Sequence, residues 1–532
     1  MNSNDTSPQK PRPCGVPWFP IIVVLLALAG GTAVNTRPEL ERNFAGWTMT
    51  ALAILSSLVI LLWFTFTRRF AGRTRALGLA GVVLLALGLR FSLHVDGTAD
   101  GTGRPRLVWK WAGRPPLKAL DATALAASPV HTPSATEPDP RLAGVQDVVQ
   151  FFGTNRDGRV DAPRLARDWK AAPPRELWRH EIGGGWSSFA VVKGHAWTQE
   201  QRGEQECVTC YDLFTGALVW SHADPARFTQ WQGGEGPRAT PTVHDGKLYT
   251  YGATGLLNGL DAATGKALWQ RAVLAENTSS NIEWGLSASP LVVDDLVVVT
   301  GGNTRGPVLF AYRRDTGAPV WKAGDDRASY ASPVLATIAG RRVILSNNAR
   351  GLSIHDPATG AVLLDHAWGS DKWPKASQPV VVGEDRVFLS GGYGMGCLLL
   401  KVEARPGGTW SATEVWRGMR MKTQFNSPAL RDGHLYGLDD GRLACVDVAT
   451  GERVWKDGNY ASGQSLLVND LIVIQNEGGS VHLCAAKVGG FEELGRAEAL
   501  SSKTWNLPVL AGRYLLVRND REALCLELPV MP

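Results

Sequence analysis

One short phrase decides the fold of this chain: Asp212-Leu-Phe-Thr-Gly216, followed by Trp220. Its Asp and Thr-Gly favour a tight turn, and its Trp is a large side chain that gains much from burial. The phrase recurs with a period of about 39 to 52 residues, which is typical of propeller blades. Its final position marks one strand in each unit, at Trp178, Trp220, Trp269, Trp321, Leu364, Trp416, Trp455 and Leu494.

Each unit is predicted to be a four-stranded meander. The run from Leu291 to Val299 is two strands around an Asp-Asp turn, and the phrase itself joins the third strand to the fourth. One such sheet cannot bury both of its faces, so the copies stack around an axis. The last unit supplies three strands before the chain stops, and we expect the strand 176–182 to complete it. The predicted fold is all-β: an eight-bladed β-propeller whose N-terminal strand closes the last blade.

Composition excludes two classes of protein. The chain has 532 residues with 44% hydrophobic and 20% charged side chains, which excludes wholesale disorder. A net charge of +5 over this length, without a basic stripe, excludes nucleic acid as a partner. The 59 Gly, 31 Pro and 20 Trp favour turn-rich β structure over helical bundles.

Three apolar runs precede the propeller and predict about three transmembrane helices. They are Val16–Val34, Phe44–Phe66 and the weaker Ala76–Val95, which contains Arg90. Arginines crowd the loop between the second and third runs, so that loop and the N-terminus are expected in the cytoplasm. Three spans then place the propeller on the periplasmic side of the bacterial inner membrane; two spans would leave it in the cytoplasm.

The predicted domain organisation has five parts. A cytoplasmic tail covers residues 1–15 and the helices cover 16–95. A Pro/Gly/Ala-rich linker covers 96–146, a lead-in segment covers 147–175 and the propeller covers 176–532.

The cysteines are predicted to be packing residues. Cys207 and Cys210 lie three apart in a strand and therefore face opposite sides, too far apart to form a disulfide. Cys210 and Cys445 both stand five residues before the Thr of the repeated phrase, as Gly259 does, which indicates a position for a small buried side chain. Cys484 and Cys525 are expected in the same register, and we assign no metal ligands.

The repeat resembles the tryptophan-docking motif of quinoprotein alcohol dehydrogenase-like propellers, over roughly residues 176–528. The segment Phe151–Gly158, FFGTNRDG, is similar to the F-R-G-x-x-R-D-G lead-in of envelope PQQ-repeat propellers, although Phe152 and Thr154 depart from it. This resemblance implies one of two functions. Some members bind pyrroloquinoline quinone with calcium and oxidise alcohols or sugars; others, such as BamB-type assembly lipoproteins, are non-catalytic scaffolds.

Residues just before each first strand are expected to ring the central funnel. Aromatic faces and cations there would suit a flat, carboxylated molecule such as pyrroloquinoline quinone. No residue stands out as a general base, so the catalytic residues stay unassigned. The candidate cofactor-binding residues are Arg238, Trp284, Tyr330, Lys375, Lys422, Gln424, Asn426, Trp505 and Asn506.

The leading functional hypothesis is a membrane-anchored periplasmic scaffold that binds other envelope proteins or a ligand. The alternative is a quinone-dependent dehydrogenase that passes electrons to the membrane. The two differ in whether a stoichiometric cofactor is bound, and the sequence names neither substrate nor partner.

Overall fold

The computed structural model describes residues 16–37, 40–112, 139–405 and 408–531. In this part of the chain three helices are long and apolar enough to cross a membrane: α1 (Trp18–Asn35), α2 (Arg42–Phe66) and α3 (Gly72–Ser92). Their apolar side chains are largely exposed, as Phe66 and Leu77 are. The third helix ends before the predicted boundary at Val95, because the next residues form a strand. The predicted tail, residues 1–15, lies outside the described residues.

A β-hairpin follows α3 directly, where composition predicts the start of a linker. Strands β1 (Leu93–Thr98) and β2 (Pro105–Trp109) form a two-stranded sheet. Gly97 and Gly103 have φ values of 68° and 83°, a backbone conformation that glycine adopts without a steric penalty. The linker prediction is therefore wrong for residues 96–109; residues 113–138 of the predicted linker lie outside the described residues.

The chain forms two compact units. The first contains α1–α3 together with Leu107–Ala112, and the second contains the propeller together with Val95–Arg106. Within the second unit, a 3-10 helix (Pro140–Leu142) and two strands precede the first blade: β3 (Arg159–Val160) and β4 (Arg175–Glu181).

Seven four-stranded sheets and one five-stranded sheet make up the propeller within the described residues, and they are named blades I to VIII in chain order. Blade I contains β5 (Ala190–Val192), β6 (His195–Arg202), β7 (Gln205–Asp212) and β8 (Leu218–Asp224). A small hairpin follows, with β9 (Thr229–Gln230) and β10 (Gly234–Glu235). Blade II contains β11 (Thr242–His244), β12 (Lys247–Tyr251), β13 (Leu256–Asp261) and β14 (Ala267–Ala272), followed by the short helix α4 (Val273–Glu276).

The next three blades have the same strand order. Blade III contains β15 (Leu291–Val293), β16 (Leu296–Thr300), β17 (Leu309–Arg313) and β18 (Pro319–Ala323). Blade IV contains β19 (Val334–Ile338), β20 (Arg341–Asn347), β21 (Gly351–His355) and β22 (Val362–Ala367). Blade V contains β23 (Val380–Val382), β24 (Arg386–Gly391), β25 (Gly396–Ala404) and β26 (Trp410–Gly418).

The last three blades close the ring. Blade VI contains β27 (Ala429–Arg431), β28 (His434–Asp439), β29 (Arg442–Asp447) and β30 (Arg453–Asp457). Blade VII contains β31 (Gln464–Val468), β32 (Leu471–Gln475), β33 (Val481–Ala485) and β34 (Glu493–Ala497), with β3 added in parallel beside β31. Blade VIII contains β35 (Val509–Ala511), β36 (Tyr514–Arg518) and β37 (Glu522–Glu527), and β4 is its outer strand. This confirms the predicted closure, with Trp178 opposite Cys525.

The repeated phrase holds neighbouring blades together. In blade I the Asp212 carboxylate accepts hydrogen bonds from the Thr215 backbone N–H and hydroxyl, both at 2.8 Å, which fixes the turn. Gly216, with φ 70°, leaves room for the Trp178 ring to pack against it. Trp178 Nε1 donates to the Leu213 carbonyl at 2.8 Å and so joins its own blade to the turn of the next. The same bond recurs from Trp220, Trp269, Trp416 and Trp455.

Blade VII departs from the pattern. The hairpin that joins its last two strands is longer than that of blade I, since Leu483 pairs with Gly495 whereas Cys210 pairs with Trp220. Gly495, and not the predicted Leu494, therefore stands at the docking position. Cys484 consequently lies one residue beyond the predicted register. Trp169, from the lead-in segment, packs its ring on Gly495 and is 3% exposed. A tryptophan from outside the blade thus fills the place of the missing one.

The axis is surrounded by the first strands, since β5 packs against β11, β11 against β15 and β15 against β19. The core lies between adjacent blades; Leu257 of blade II, for example, belongs to one cluster with Val298 and Phe310 of blade III. Burial of such apolar surface is the main stabilising contribution to the ring. The described cysteines are all buried and unpaired, and burial raises the pKa of Cys207 to about 12.

Candidate functional site

The two ends of the axis differ in what they carry. One end carries the turns of the repeated phrase, and we call it the turn face. The other carries the connections that lead from the fourth strand of one blade to the first strand of the next, and we call it the connection face. All nine candidate residues precede first strands and therefore belong to the connection face.

The lead-in segment fills the axis from the turn face. Asp147 accepts a hydrogen bond from the Lys193 N–H in a turn of blade I, at 2.9 Å. Arg156 is 1% exposed, and its guanidinium donates to the carbonyls of Ser289 at 3.0 Å and Pro333 at 2.9 Å, and also to that of Pro290. Burial lowers the pKa of Arg156 to about 9. The Arg of the FFGTNRDG segment is thus a structural cross-brace at the axis.

Hydrogen bonds link several of the candidates into an arc. Arg238 Nε donates to the Trp284 carbonyl at 2.7 Å, and the Trp284 N–H donates to the Tyr330 hydroxyl at 3.3 Å. The Tyr330 N–H donates to the Lys375 carbonyl at 3.0 Å. The structure therefore places these four residues side by side.

Their positive charges, however, are directed into the protein. The Arg238 guanidinium donates to backbone carbonyls of the β9–β10 hairpin, among them Gly234 at 2.8 Å, and stacks on Phe228 at 4.6 Å from the ring centroid. Burial lowers the pKa of Arg238 to about 10. Lys375 Nζ donates to the carbonyls of Ala349 at 2.5 Å and Ser370 at 2.8 Å, and burial lowers its pKa to about 8.

A carboxylated quinone therefore finds few free cations here. Lys422, the third candidate cation, is 3% exposed and pairs with Asp439 at 3.4 Å. A dianionic or trianionic cofactor needs cations that point at it, and these three point at carbonyls and a carboxylate. The residues present do not fit pyrroloquinoline quinone well, and we derive no chemical step through it. The cofactor assignment stays a prediction.

Three amide side chains at the connection face keep an unused polar atom. Gln424, Asn426 and Asn506 are 8%, 3% and 0% exposed. Among the described residues, Gln424 Nε2, Asn426 Oδ1 and Asn506 Oδ1 have no hydrogen-bond partner. Buried polar atoms are normally paired, so these three are suited to water or to a polar ligand group.

An aromatic cluster that the sequence analysis missed, except for Trp505, forms the centre of this face. Trp505 lies 4.8 Å from Trp186 and 5.2 Å from Phe425, centroid to centroid. Lys503 Nζ lies 4.1 Å from the centroid of Trp505, and Glu477 accepts a hydrogen bond from Trp505 Nε1 at 2.6 Å. We call these five residues the mouth: Trp186, Phe425, Glu477, Lys503 and Trp505.

The tip of the β1–β2 hairpin, Val95–Arg106, is docked on the mouth. The Gly101 N–H donates to Glu477 Oε1 at 2.6 Å. Lys503 Nζ donates to the Thr98 carbonyl at 2.9 Å and to its hydroxyl at 3.1 Å. The Thr98 hydroxyl in turn donates to the Gln232 carbonyl at 2.9 Å. A segment expected to be free linker is therefore bound at the end of the propeller axis.

Charge surrounds this contact. Asp96 of the tip pairs with Arg521 of blade VIII at 3.2 Å and with its own neighbour Arg106 at 3.0 Å. Burial lowers the pKa of Lys503 to about 8, against the opposing effects of Asp520 and Glu477.

One signal in the sequence marks part of the mouth. Trp186 lies four residues before β5, just as Arg238 lies four residues before β11, so extending the funnel count to blade I would have included it. Glu477 lies in the turn between β32 and β33 and not before a first strand, and Lys503 has no counterpart in the other repeats.

Comparison with known proteins gives the same fold and a family. The family model described as outer membrane protein assembly factor BamB matches residues 169–457. The protein of that name from Shewanella oneidensis is 25% identical over 333 residues, 58% of this chain and 76% of that protein. Its counterpart from Xanthomonas campestris pv. campestris is 28% identical over 257 residues, 47% of this chain and 62% of that protein.

A solved structure shows the likeness of fold. The quinohemoprotein alcohol dehydrogenase from Comamonas testosteroni superposes with a TM-score of 0.52 at 12% identity, over 78% of this chain and 83% of that one.

Proposed function

Because the chain belongs to the family of the outer membrane protein assembly factor BamB, we propose that it is a membrane-anchored β-propeller scaffold of the bacterial envelope that binds another protein at its connection face. The helices α1–α3 would anchor it in the inner membrane with the propeller in the periplasm. The relatives' name, which refers to assembly of outer membrane proteins, supports a protein as the partner.

The observation that carries the proposal is the docked hairpin tip. The mouth receives a polypeptide turn through its backbone N–H, a backbone carbonyl and a side-chain hydroxyl. Aromatic residues with flanking charges are common at the centres of protein-binding surfaces. The inward-directed cations support a protein ligand over the quinone-dependent dehydrogenase, the alternative function.

A labelling experiment tests the anchoring and the orientation. Lys322, an exposed propeller residue, is changed to Cys, and Ser3 of the N-terminal tail is changed to Cys in a second variant, each on a Cys14→Ser background. We expect a membrane-impermeant maleimide to label Cys at 322 in cells with a permeabilised outer membrane, and Cys at 3 only after the inner membrane is opened. The reverse pattern would contradict the periplasmic placement.

Photo-crosslinking tests partner binding. Trp231, 57% exposed on the loop between β9 and β10, is replaced by a photoreactive phenylalanine, and Lys266 on the turn face is the matched control. We expect crosslinks to a defined envelope protein from position 231 and none from 266. Equal crosslinking from both positions, or from neither, would argue against the connection face.

A further inference from the structure

The mouth reads specific features of the hairpin tip. Arg521 pairs with the Asp96 carboxylate, Lys503 binds the Thr98 carbonyl and hydroxyl, and Glu477 accepts the Gly101 N–H. A side chain at position 101 would collide with Ser462 and approach Phe425, so that position requires glycine for steric reasons. Together these contacts are specific for an Asp, a Thr and a Gly at the spacing Asp-x-Thr-x-x-Gly within one turn.

Hydrogen bonds within the turn itself fix its conformation. The Asp100 carboxylate accepts hydrogen bonds from the Thr102 N–H at 2.9 Å and from the Thr102 hydroxyl at 2.5 Å. The Ala99 N–H donates to the Arg104 carbonyl at 2.8 Å. A preorganised turn loses little conformational entropy on docking, which favours recognition of a hairpin over an extended strand.

The docking itself is built from polar contacts. Within the tip the buried residues are Thr98 and Thr102, whereas Val95 is 52% exposed and Ala99 is exposed. Since apolar burial supplies most of the free energy of association, a tip that buries two threonines binds weakly for its size. The tip then occupies the mouth because it is covalently tethered to the propeller. A short tether holds the tip near the mouth at an effective concentration on the order of millimolar.

We propose that the mouth is a binding site for a hairpin turn of the pattern Asp-x-Thr-x-x-Gly, that the chain's own turn, Asp96–Gly101, keeps it occupied, and that a protein partner with such a turn displaces it. This inference rests on the proposed binding function of the connection face and adds the chemistry of the ligand. Because the partner and the tip compete for the mouth, only a partner that exceeds the tethered tip in affinity or local concentration would bind.

Binding of the tip as a free peptide tests the proposal. The probe is the fluorescein-labelled peptide VDGTADGTGRPR, the sequence of Val95–Arg106, and the protein is the full chain in nanodiscs. Gly101→Trp unseats the chain's own tip, and Ala99→Trp, at an exposed tip position, is the matched control. By fluorescence anisotropy we expect Gly101→Trp to bind the peptide at least about tenfold more tightly than the wild type and Ala99→Trp do, because the intramolecular competitor is gone.

Two variants establish which contacts bind the peptide. Lys503→Met in the Gly101→Trp background should abolish peptide binding. A peptide in which the Asp and Thr of the pattern are replaced by Asn and Val should not bind to Gly101→Trp. Equal affinity of wild type and Gly101→Trp, or undiminished binding of the altered peptide, would overturn the proposal.

A measurement on the wild type keeps the test independent of folding defects. In hydrogen exchange monitored by mass spectrometry, excess peptide should accelerate exchange of the amides at residues 97–103 and leave the lead-in amides unchanged. No acceleration at a saturating peptide concentration would overturn displacement. If crosslinks from position 231 form while the peptide does not bind, this inference fails and the proposed scaffold function stands.

Discussion

Two segments occupy opposite ends of the propeller axis, and they are built differently. The lead-in segment enters from the turn face with Arg156, buried and bonded to three carbonyls of blades III and IV. The hairpin tip docks on the connection face through hydrogen bonds and a partly exposed ion pair, Asp96 with Arg521. The lead-in also packs large apolar side chains into the blades, which the tip does not. The lead-in segment is therefore part of the fold, whereas the hairpin tip resembles a ligand that is covalently tethered to its binding site.

The largest expected effect comes from the lead-in tryptophan. Trp169→Ala removes a ring that packs on Gly495 and leaves a cavity at the outer edge of blade VII, which should lower the free energy of unfolding by about 3–5 kcal/mol. The matched change in the hairpin tip is Val95→Ala, at a residue that is 52% exposed, and should cost less than about 0.5 kcal/mol. Urea unfolding followed by circular dichroism measures both. Similar losses would remove the distinction between the two segments.

The next effect comes from the cross-brace. Arg156→Met leaves the carbonyls of Ser289 and Pro333 without their donor, whereas the Pro290 carbonyl still accepts from the Thr242 hydroxyl at 2.6 Å. Unpaired buried groups cost roughly 1–3 kcal/mol each, offset in part by relief of the buried charge. We expect a net loss of about 3 kcal/mol. Arg159→Met, an exposed position in the same segment, is the control and should be nearly neutral. A neutral Arg156→Met would mean that the axis closes without its brace.

The difference in construction explains how far the sequence could predict the molecule. Blade order, closure by β4 and the docking tryptophans follow from a repeated pattern, because local turn chemistry and a Trp at fixed spacing determine them. Blade VII escaped the pattern because Trp169, far away in sequence, replaces a residue of the repeat. The docking of the hairpin tip could not be predicted from the repeat, since Gly101 and Glu477 are far apart in sequence and neither belongs to a periodic pattern.

The funnel residues illustrate the same limit. Their positions before the first strands could be read from the repeat, and the structure places Arg238, Trp284 and Tyr330 next to one another. Which way a charged side chain points is decided by nearby carbonyls, and those of Ala349 and Ser370 that hold Lys375 come from other loops. Spacing alone does not predict this orientation.

Hydrogen exchange should separate the two segments within a single sample. The Gly158 N–H, bonded to the Phe152 carbonyl at 2.9 Å, is buried within the lead-in and should exchange only on global unfolding. The Ala99 and Gly101 amides of the tip should exchange by local undocking, with protection at least about 100-fold lower. Mass spectrometry of the full chain in nanodiscs measures both regions. Equal protection would make the tip a fixed part of the propeller.

The smallest expected effect is a dependence of tip docking on pH. In the docked state burial lowers the pKa of Lys503 to about 8, and undocking returns water to the amine, which moves its pKa toward the ordinary value of about 10.4. At pH values between these two pKa values, docking releases a proton. The equilibrium constant for docking should therefore grow as pH rises from 8, by at most about tenfold per pH unit. A nitroxide on Ala99→Cys, in a Cys14→Ser background, reports the immobilised fraction, since the six other cysteines are buried. Lys503→Met should flatten this dependence, whereas Lys322→Met, at an exposed site, should leave it intact. A docked fraction that falls as pH rises would show that the charged ammonium is what holds Thr98, and the burial argument for Lys503 would then be wrong.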